Sequence, residues 1–155
     1  MTVAVWRIAA EVPAYSANDM TGIGARLTGG RWNSVGRPML YCASTVALAA
    51  MESMAALGTD VLPYNRFLVR LDVPEMVWAA RETLAPPPGW DAIPEGRASI
   101  SAGDAWAASL RSLILLVPSV IVPEERNILI NPVHPAATAI TATTVRRWSY
   151  DPRLF

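Results

Sequence analysis

Lysine is absent from the 155 residues: all 13 cations are arginine, set against 13 Asp and Glu. A chain with no net formal charge lacks the surplus of cations that binding to a nucleic-acid backbone requires. Any anion site must be built from guanidinium, whose planar fork suits phosphate. Cysteine and histidine are nearly missing as well. Cys42 stands alone, which excludes an internal disulfide, and with the lone His134 it cannot complete a zinc site. A Ser-His-Asp triad would have to use His134, and no Gly-x-Ser-x-Gly elbow accompanies it. The start, Met1 to Arg7, has neither a basic n-region nor a long apolar run, and apolar stretches such as 113–118 are far too short to span a bilayer. A cytoplasmic protein that does not engage a membrane is expected. Charged residues make up only 17% and hydrophobic ones 52%, which excludes a disordered chain. One domain over 1–155 is expected, burying roughly 68–70% of its unfolded surface.

What is present reads as many short strands with two or three helices, an α+β order with no repeat and no second domain. Residues 3–8, 39–43, 65–73, 112–117, 126–130 and 139–148 have strand character. Ser44 or Thr45 can cap a helix that runs to about Leu57 and stops at Gly58, and 103–110 can form a second, shorter one. Residues 22–36 hold five of the nine glycines, the density of a loop that turns tightly or approaches a ligand. Residues 75–100 contain Pro86-Pro87-Pro88-Gly89-Trp90 and Pro94, a rigid excursion between two core-like flanks.

Several positions do not fit a plain core. Glu52 is the only charged residue of the 44–57 helix. That helix reads as mostly buried, so its carboxylate is either paired inside or stands at the mouth of a cleft. Arg31 follows Gly29-Gly30 and either reaches an anion that bare backbone also approaches or bonds loop carbonyls. The spacing is not that of a dinucleotide fingerprint, because Leu27 stands where the third glycine belongs, and there is no Walker lysine. Tyr41 lies in an apolar strand and needs a partner for its hydroxyl. Ser119 sits directly after an apolar run, where it can cap a turn or aim its hydroxyl into a cleft. His134, between prolines 132 and 135, reads as a turn residue, and Cys42 as inert core.

Taken in order, the chain resembles the RES-domain family, named for an Arg, a Glu and a Ser. The resemblance rests on Gly30-Arg31-Trp32-Asn33 with Gly36, Leu40-Tyr41-Cys42-Ala43-Ser44 and Ala47-Leu48-Ala49-Ala50-Met51-Glu52. It continues in Gly103-Asp104-Ala105-Trp106, Val117-Pro118-Ser119, the stretch from Asn127 to Pro135, and the tail Tyr150-Asp151-Pro152-Arg153-Leu154-Phe155. Residues 75–100 match least. The resemblance implies a bacterial toxin held by an Xre-like antitoxin, with DNA contacted only through that antitoxin. It implies a fold similar to ADP-ribosyltransferases and NAD+ as substrate, with no metal. The family's Arg, Tyr, Glu and Ser fall on Arg31, Tyr41, Glu52 and Ser119, and the residues expected to touch NAD+ are Arg31, Gly30, Trp32, Tyr41, Ser119 and Asn131.

The implied chemistry agrees with the residue types. Breaking the nicotinamide–ribose bond builds positive charge on the ribose while nicotinamide leaves neutral, so one carboxylate suffices, and Glu52 would supply it. Arg31 would hold phosphate, Tyr41 would enclose the nicotinamide ring, and Ser119 would orient its neighbours. The acceptor of ADP-ribose is then a protein, with water or phosphate (a glycohydrolase or phosphorylase) as the alternative. A module that only binds a partner is a third reading.

Overall fold

In the computed structural model, residues 1–58 and 61–155 are described. Strand β1 (Thr2–Ala10) sets the frame. Its side chains alternate, so Val5 and Ala9 face a buried apolar cluster while Trp6 and Ile8 pack under a helix on the other side. β1 pairs antiparallel along its whole length with β3 (Arg66–Pro74), from Thr2 opposite Pro74 to Ala10 opposite Arg66. β3 in turn pairs with β7 (Thr141–Arg147), with an irregularity between Leu68 and Val69.

A second group of strands is built from the later apolar runs. β2 (Leu40–Ala43) pairs with β6 (Arg126–Ile130), β6 with β5 (Ile114–Pro118), and β5 in parallel with the two-residue β4 (Glu82–Thr83). The strand order is β4-β5-β6-β2-β1-β3-β7. The two groups meet at a single residue pair, Trp6 opposite Ala43. Beyond that pair β1 and β2 diverge, so the sheet opens along a seam.

Helix α2 (Val46–Ala56) crosses that region. Thr45 caps it by accepting from the Leu48 N–H, as expected for a Thr before an Ala/Leu/Met run. Leu48 and Ala49 pack with Ala43, Trp6, Ile8 and Val122. The helix is not mostly buried, however: Leu48 and Ala49 alone are fully covered, and Met51 is 41% exposed. One helix lying on one face of a sheet can bury only one stripe, and alanine spread around the whole circumference does not choose it.

The expected helix count falls short: among the described residues there are four α-helices, two of them short. Residues 22–36 are not loop throughout, because α1 (Ile23–Thr28) lies between Gly22 and Gly29, both at φ 70°. The 75–100 excursion holds α3 (Glu75–Ala79) and β4, and α4 (Arg97–Ser109) begins before residue 103. Gly103 in the middle of α4 has a reason: a Cβ there would lie 1.8 Å from the Trp32 carbonyl oxygen. Helix and glycine-rich loop touch backbone to backbone. Next to it Asp104 accepts from the Ser34 N–H at 3.1 Å and pairs with Arg37 at 3.3 Å. Trp106, buried with Trp32 and Met39, completes the seat on which residues 29–37 rest. No helix among the described residues is long and apolar enough to cross a membrane.

Candidate active site

The seam between β1 and β2 widens into a cavity of about 680 Å³, within the range of small-molecule sites. Its walls come from β1, β2, α2, the glycine-rich loop and residues 15–28. Of the residues singled out in the sequence, Gly30, Arg31, Tyr41, Cys42 and Glu52 line it; Trp32, Ser119, Asn131 and His134 do not.

Glu52 stands on α2 above the hairpin that joins β5 to β6. Its Oε1 accepts from Ser119 Oγ at 2.6 Å and from Asn127 Nδ2 at 2.9 Å. No described residue donates to Oε2. Ser119 is fully buried, and its oxygen accepts from the Ile121 and Val122 N–H groups at 3.1 and 3.0 Å. With those acceptor positions filled, the hydroxyl proton points to Glu52. Ser119 therefore sits behind the carboxylate, not in the cavity wall.

Tyr41 is the hub of the opposite wall. Its hydroxyl donates to Asn33 Oδ1 at 2.5 Å and accepts from the Trp32 N–H at 3.0 Å. Asn33, fully buried, donates through Nδ2 to the carbonyls of Ala25, Ser34 and Arg37. Gly30 lies against this hydroxyl: a Cβ would come within 2.7 Å of it. Burial pushes the Tyr41 hydroxyl's pKa well above the usual tyrosine range, against the lowering effect of the Trp32 N–H, so the phenol remains a neutral donor.

Arg31 reaches across to the proline-rich segment. Its Nη1 donates to the carbonyls of Trp90 and Ala92 at 2.9 and 2.8 Å. Trp90 stacks on Trp32 with ring centroids 6.2 Å apart. Residues 90–92 are thus tied to the glycine-rich loop by an arginine and by a ring pair. Trp32 is buried in that seat. Asn131 is fully buried on the far side of the sheet's end, donating to the Ala107 carbonyl at 3.0 Å and accepting from the Val133 N–H at 3.2 Å. His134 accepts from the Ala136 N–H through Nδ1 and caps a short 3-10 turn. Cys42 is buried, its thiol pushed up to about 12 by desolvation.

Two residues that the sequence did not single out belong here. Arg7 lines the cavity from β1, and its Nε and Nη1 are buried without a hydrogen-bond partner. A signal existed: with Val5 and Ala9 facing inward, period-two alternation puts residue 7 on the core side of the strand, where an arginine needs a partner. Asn127 is the other, the second donor to Glu52. No group of three or more His, Cys, Asp or Glu among the described residues could hold a metal ion. The cavity offers a carboxylate, a guanidinium with two unpartnered nitrogens and close-approach glycine backbone, which together suit a ligand with an anionic part and a hydroxyl-bearing or cationic part.

A model of the RES domain matches residues 4–152. A Sphingobium sp. (strain YBL2) protein named Prs ADP-ribosylating toxin is 54% identical over 157 residues, covering 99% of this chain and 98% of that one. Toxin Res of Pseudomonas putida is 35% identical over 153 residues, covering 97% and 99%. Toxin Res of Photorhabdus laumondii is 35% identical over 119 residues, covering 77% and 76%.

Proposed function

The chain belongs to the RES-domain family of toxins, which includes an ADP-ribosylating member, and on that premise we propose that it cleaves the nicotinamide–ribose bond of NAD+ and passes ADP-ribose to a protein. The observation that carries this reading is Glu52: one carboxylate oxygen is held by two donors and the other receives none from the described residues, in a cavity that also holds Arg7, with two buried nitrogens that lack a partner among those residues.

In this reading the glycosidic electron pair leaves with nicotinamide, which departs neutral, and positive charge develops on the ribose carbon. Glu52 Oε2 binds a ribose hydroxyl and stabilises that charge. A fixed carboxylate in a low-dielectric site has no reorganisation to do as the charge appears. Arg7 holds the pyrophosphate, since its buried guanidinium atoms lack any other partner. Tyr41, a neutral hydroxyl fixed between Trp32 and Asn33, keeps the glycine-rich loop folded and its ring in the wall. Arg31 shapes the cleft through residues 90–92 and keeps the rest of its fork for phosphate. The acceptor nucleophile then bonds the ribose carbon and loses its proton. Prs, which gives the Sphingobium relative its name, is the first acceptor to try.

A fold similar to ADP-ribosyltransferases, cytoplasmic location and restraint by an Xre-like antitoxin complete the proposal. An antitoxin segment carrying a carboxylate could occupy the same cavity and pair with its arginines. Incubating the purified chain with NAD+ tests the core of it: free nicotinamide should appear, and labelled ADP-ribose should transfer to a protein. No nicotinamide with any acceptor overturns the reading, and nicotinamide without protein labelling makes water or phosphate the acceptor.

A further inference from the structure

Asn127 is the second residue of β6, just after the turn that follows β5. Val117 lies opposite Asn127 in the ladder, and beyond it the Ser119 N–H donates to the Glu125 carbonyl at 3.0 Å. Side chains two apart on a strand share a face, so Ser119 and Asn127 are diagonal neighbours across the hairpin. Both reach the same oxygen of Glu52. The orientation of the Asn127 amide is fixed by chemistry. A carboxylate only accepts, so Nδ2 must face it; the reversed amide would set two acceptor oxygens 2.9 Å apart. That leaves Asn127 Oδ1 buried with no partner. An unmet buried acceptor is a cost that an apolar residue in this strand would avoid. Asparagine is therefore placed here for what Nδ2 does.

We propose that Asn127 is a positioning residue for the proposed reaction, which with Ser119 forms a two-donor clamp that fixes Glu52 Oε1 and leaves Oε2 as the one oxygen presented to the ribose. The inference rests on the reading of Glu52 given above. With one donor the carboxylate can rotate about its terminal bond and exchange its oxygens. With two donors from a closed hairpin it cannot turn without breaking both. The effect falls on the chemical step, because Ser119 Oγ and Asn127 Nδ2 both bond Glu52.

The other charged or titratable groups of the cavity are Arg7 on β1, Arg66 on β3, Tyr41 and Cys42 on β2, Tyr15, Asp19, Arg31 and Glu95. None of them bonds or pairs with Glu52. A titration created at position 127 would thus belong to the Glu52 pair. Asn127→Asp keeps the shape and puts a carboxyl in the place of the amide. Two carboxyl groups at that spacing share a proton. While the pair is singly protonated, the Asp O–H donates to Glu52 as Nδ2 does; once both ionise, they repel.

The test measures nicotinamide release for wild type, Asn127→Ala, Asn127→Asp and Glu52→Gln from pH 5 to 9, with the unfolding temperature at each pH. Expected are a kcat for Asn127→Ala roughly tenfold to a hundredfold lower at nearly unchanged KM for NAD+, and an Asn127→Asp variant that works at the acid end and loses activity as pH rises, while still folded. Should the alanine variant fail to fold, the aspartate profile decides alone. A wild-type profile for Asn127→Asp, a change in KM alone, or a loss of activity that tracks unfolding overturns the clamp. Full turnover by a folded Glu52→Gln overturns instead the reading beneath it.

Discussion

The two walls of the cavity hold their charges in opposite ways. On the α2 side, Glu52 is gripped at one oxygen by Ser119 and Asn127 and left open at the other. On the loop side, Arg31 spends its Nη1 on the carbonyls of Trp90 and Ala92, while Arg7 across the seam has buried nitrogens bonded to nothing. The residue type that a motif supplies and the hydrogen-bonding capacity left for a ligand are separate properties. For the carboxylate they coincide. For the arginines they divide: one supports the wall, and the other is available.

The largest break in this comparison is Glu52→Gln. The amide keeps size and removes the charge, so nicotinamide release should fall by about 10²-fold or more in a protein that is still folded, as circular dichroism would check. Activity near wild type would leave the α2 wall without a catalytic part.

Gly103→Ala strikes the other wall from behind. The new Cβ would stand 1.8 Å from the Trp32 carbonyl, and backbone must move. We expect a loss of about 2–3 kcal/mol of stability, read from denaturant unfolding. A tolerated alanine would mean that α4 and the loop are not seated on each other.

The arginines sharpen the contrast. Arg7→Met removes a half-buried guanidinium with two unpartnered buried nitrogens, so the protein should gain about 1 kcal/mol, roughly 2–4 °C in Tm, while NAD+ affinity drops about tenfold or more. Arg31→Lys cannot span both carbonyls with a fork; it should loosen residues 90–92 and weaken NAD+ binding less than Arg7→Met does. Calorimetric titration of both variants checks the order, and the reverse order would exchange the two roles.

The smallest effect concerns pH and lies beside the seam. Burial holds the Cys42 thiol up to about 12 from an ordinary 9.0. The folded state favours the neutral thiol, so this contribution to stability is complete below about pH 9 and is lost as pH rises toward 12. Unfolding temperatures measured from pH 8 to 11 should decline less for Cys42→Ala than for wild type, and a disulfide reagent at pH 8 should label Cys42 only on unfolding.

Much of the fold was legible along the chain. Arg126–Ile130 falls where its apolar run places it, β1 extends its expected bounds by one residue before and two after, and β3 is shifted by one residue from its expected bounds. Backbone propensity and alternation are local, and long strands state them clearly. The short elements were not legible. α1 has six residues between glycines, and β4 has two residues held by β5; both exist because neighbours hold them. Arg31, Tyr41 and Glu52 came from ordered motifs and do line one cavity. Trp32 and Asn131 stand behind its walls, because a motif records a neighbourhood without saying which side chains face inward. Arg7 was visible only as a polar residue in an apolar alternation, and Asn127 only as a member of a longer match.

The sequence by itself determined the α+β order, the guanidinium-only cation set, the capped helix with one carboxylate, and the RES resemblance. These follow from composition and from patterns a few residues long. Tertiary structure alone decided that the sheet parts beyond the Trp6–Ala43 pair, that Arg31 bonds carbonyls 59 and 61 residues away, and that Glu52 receives two donors from 67 and 75 residues away. Whether a polar group is satisfied depends on what packs against it in three dimensions, and no local pattern carries that information.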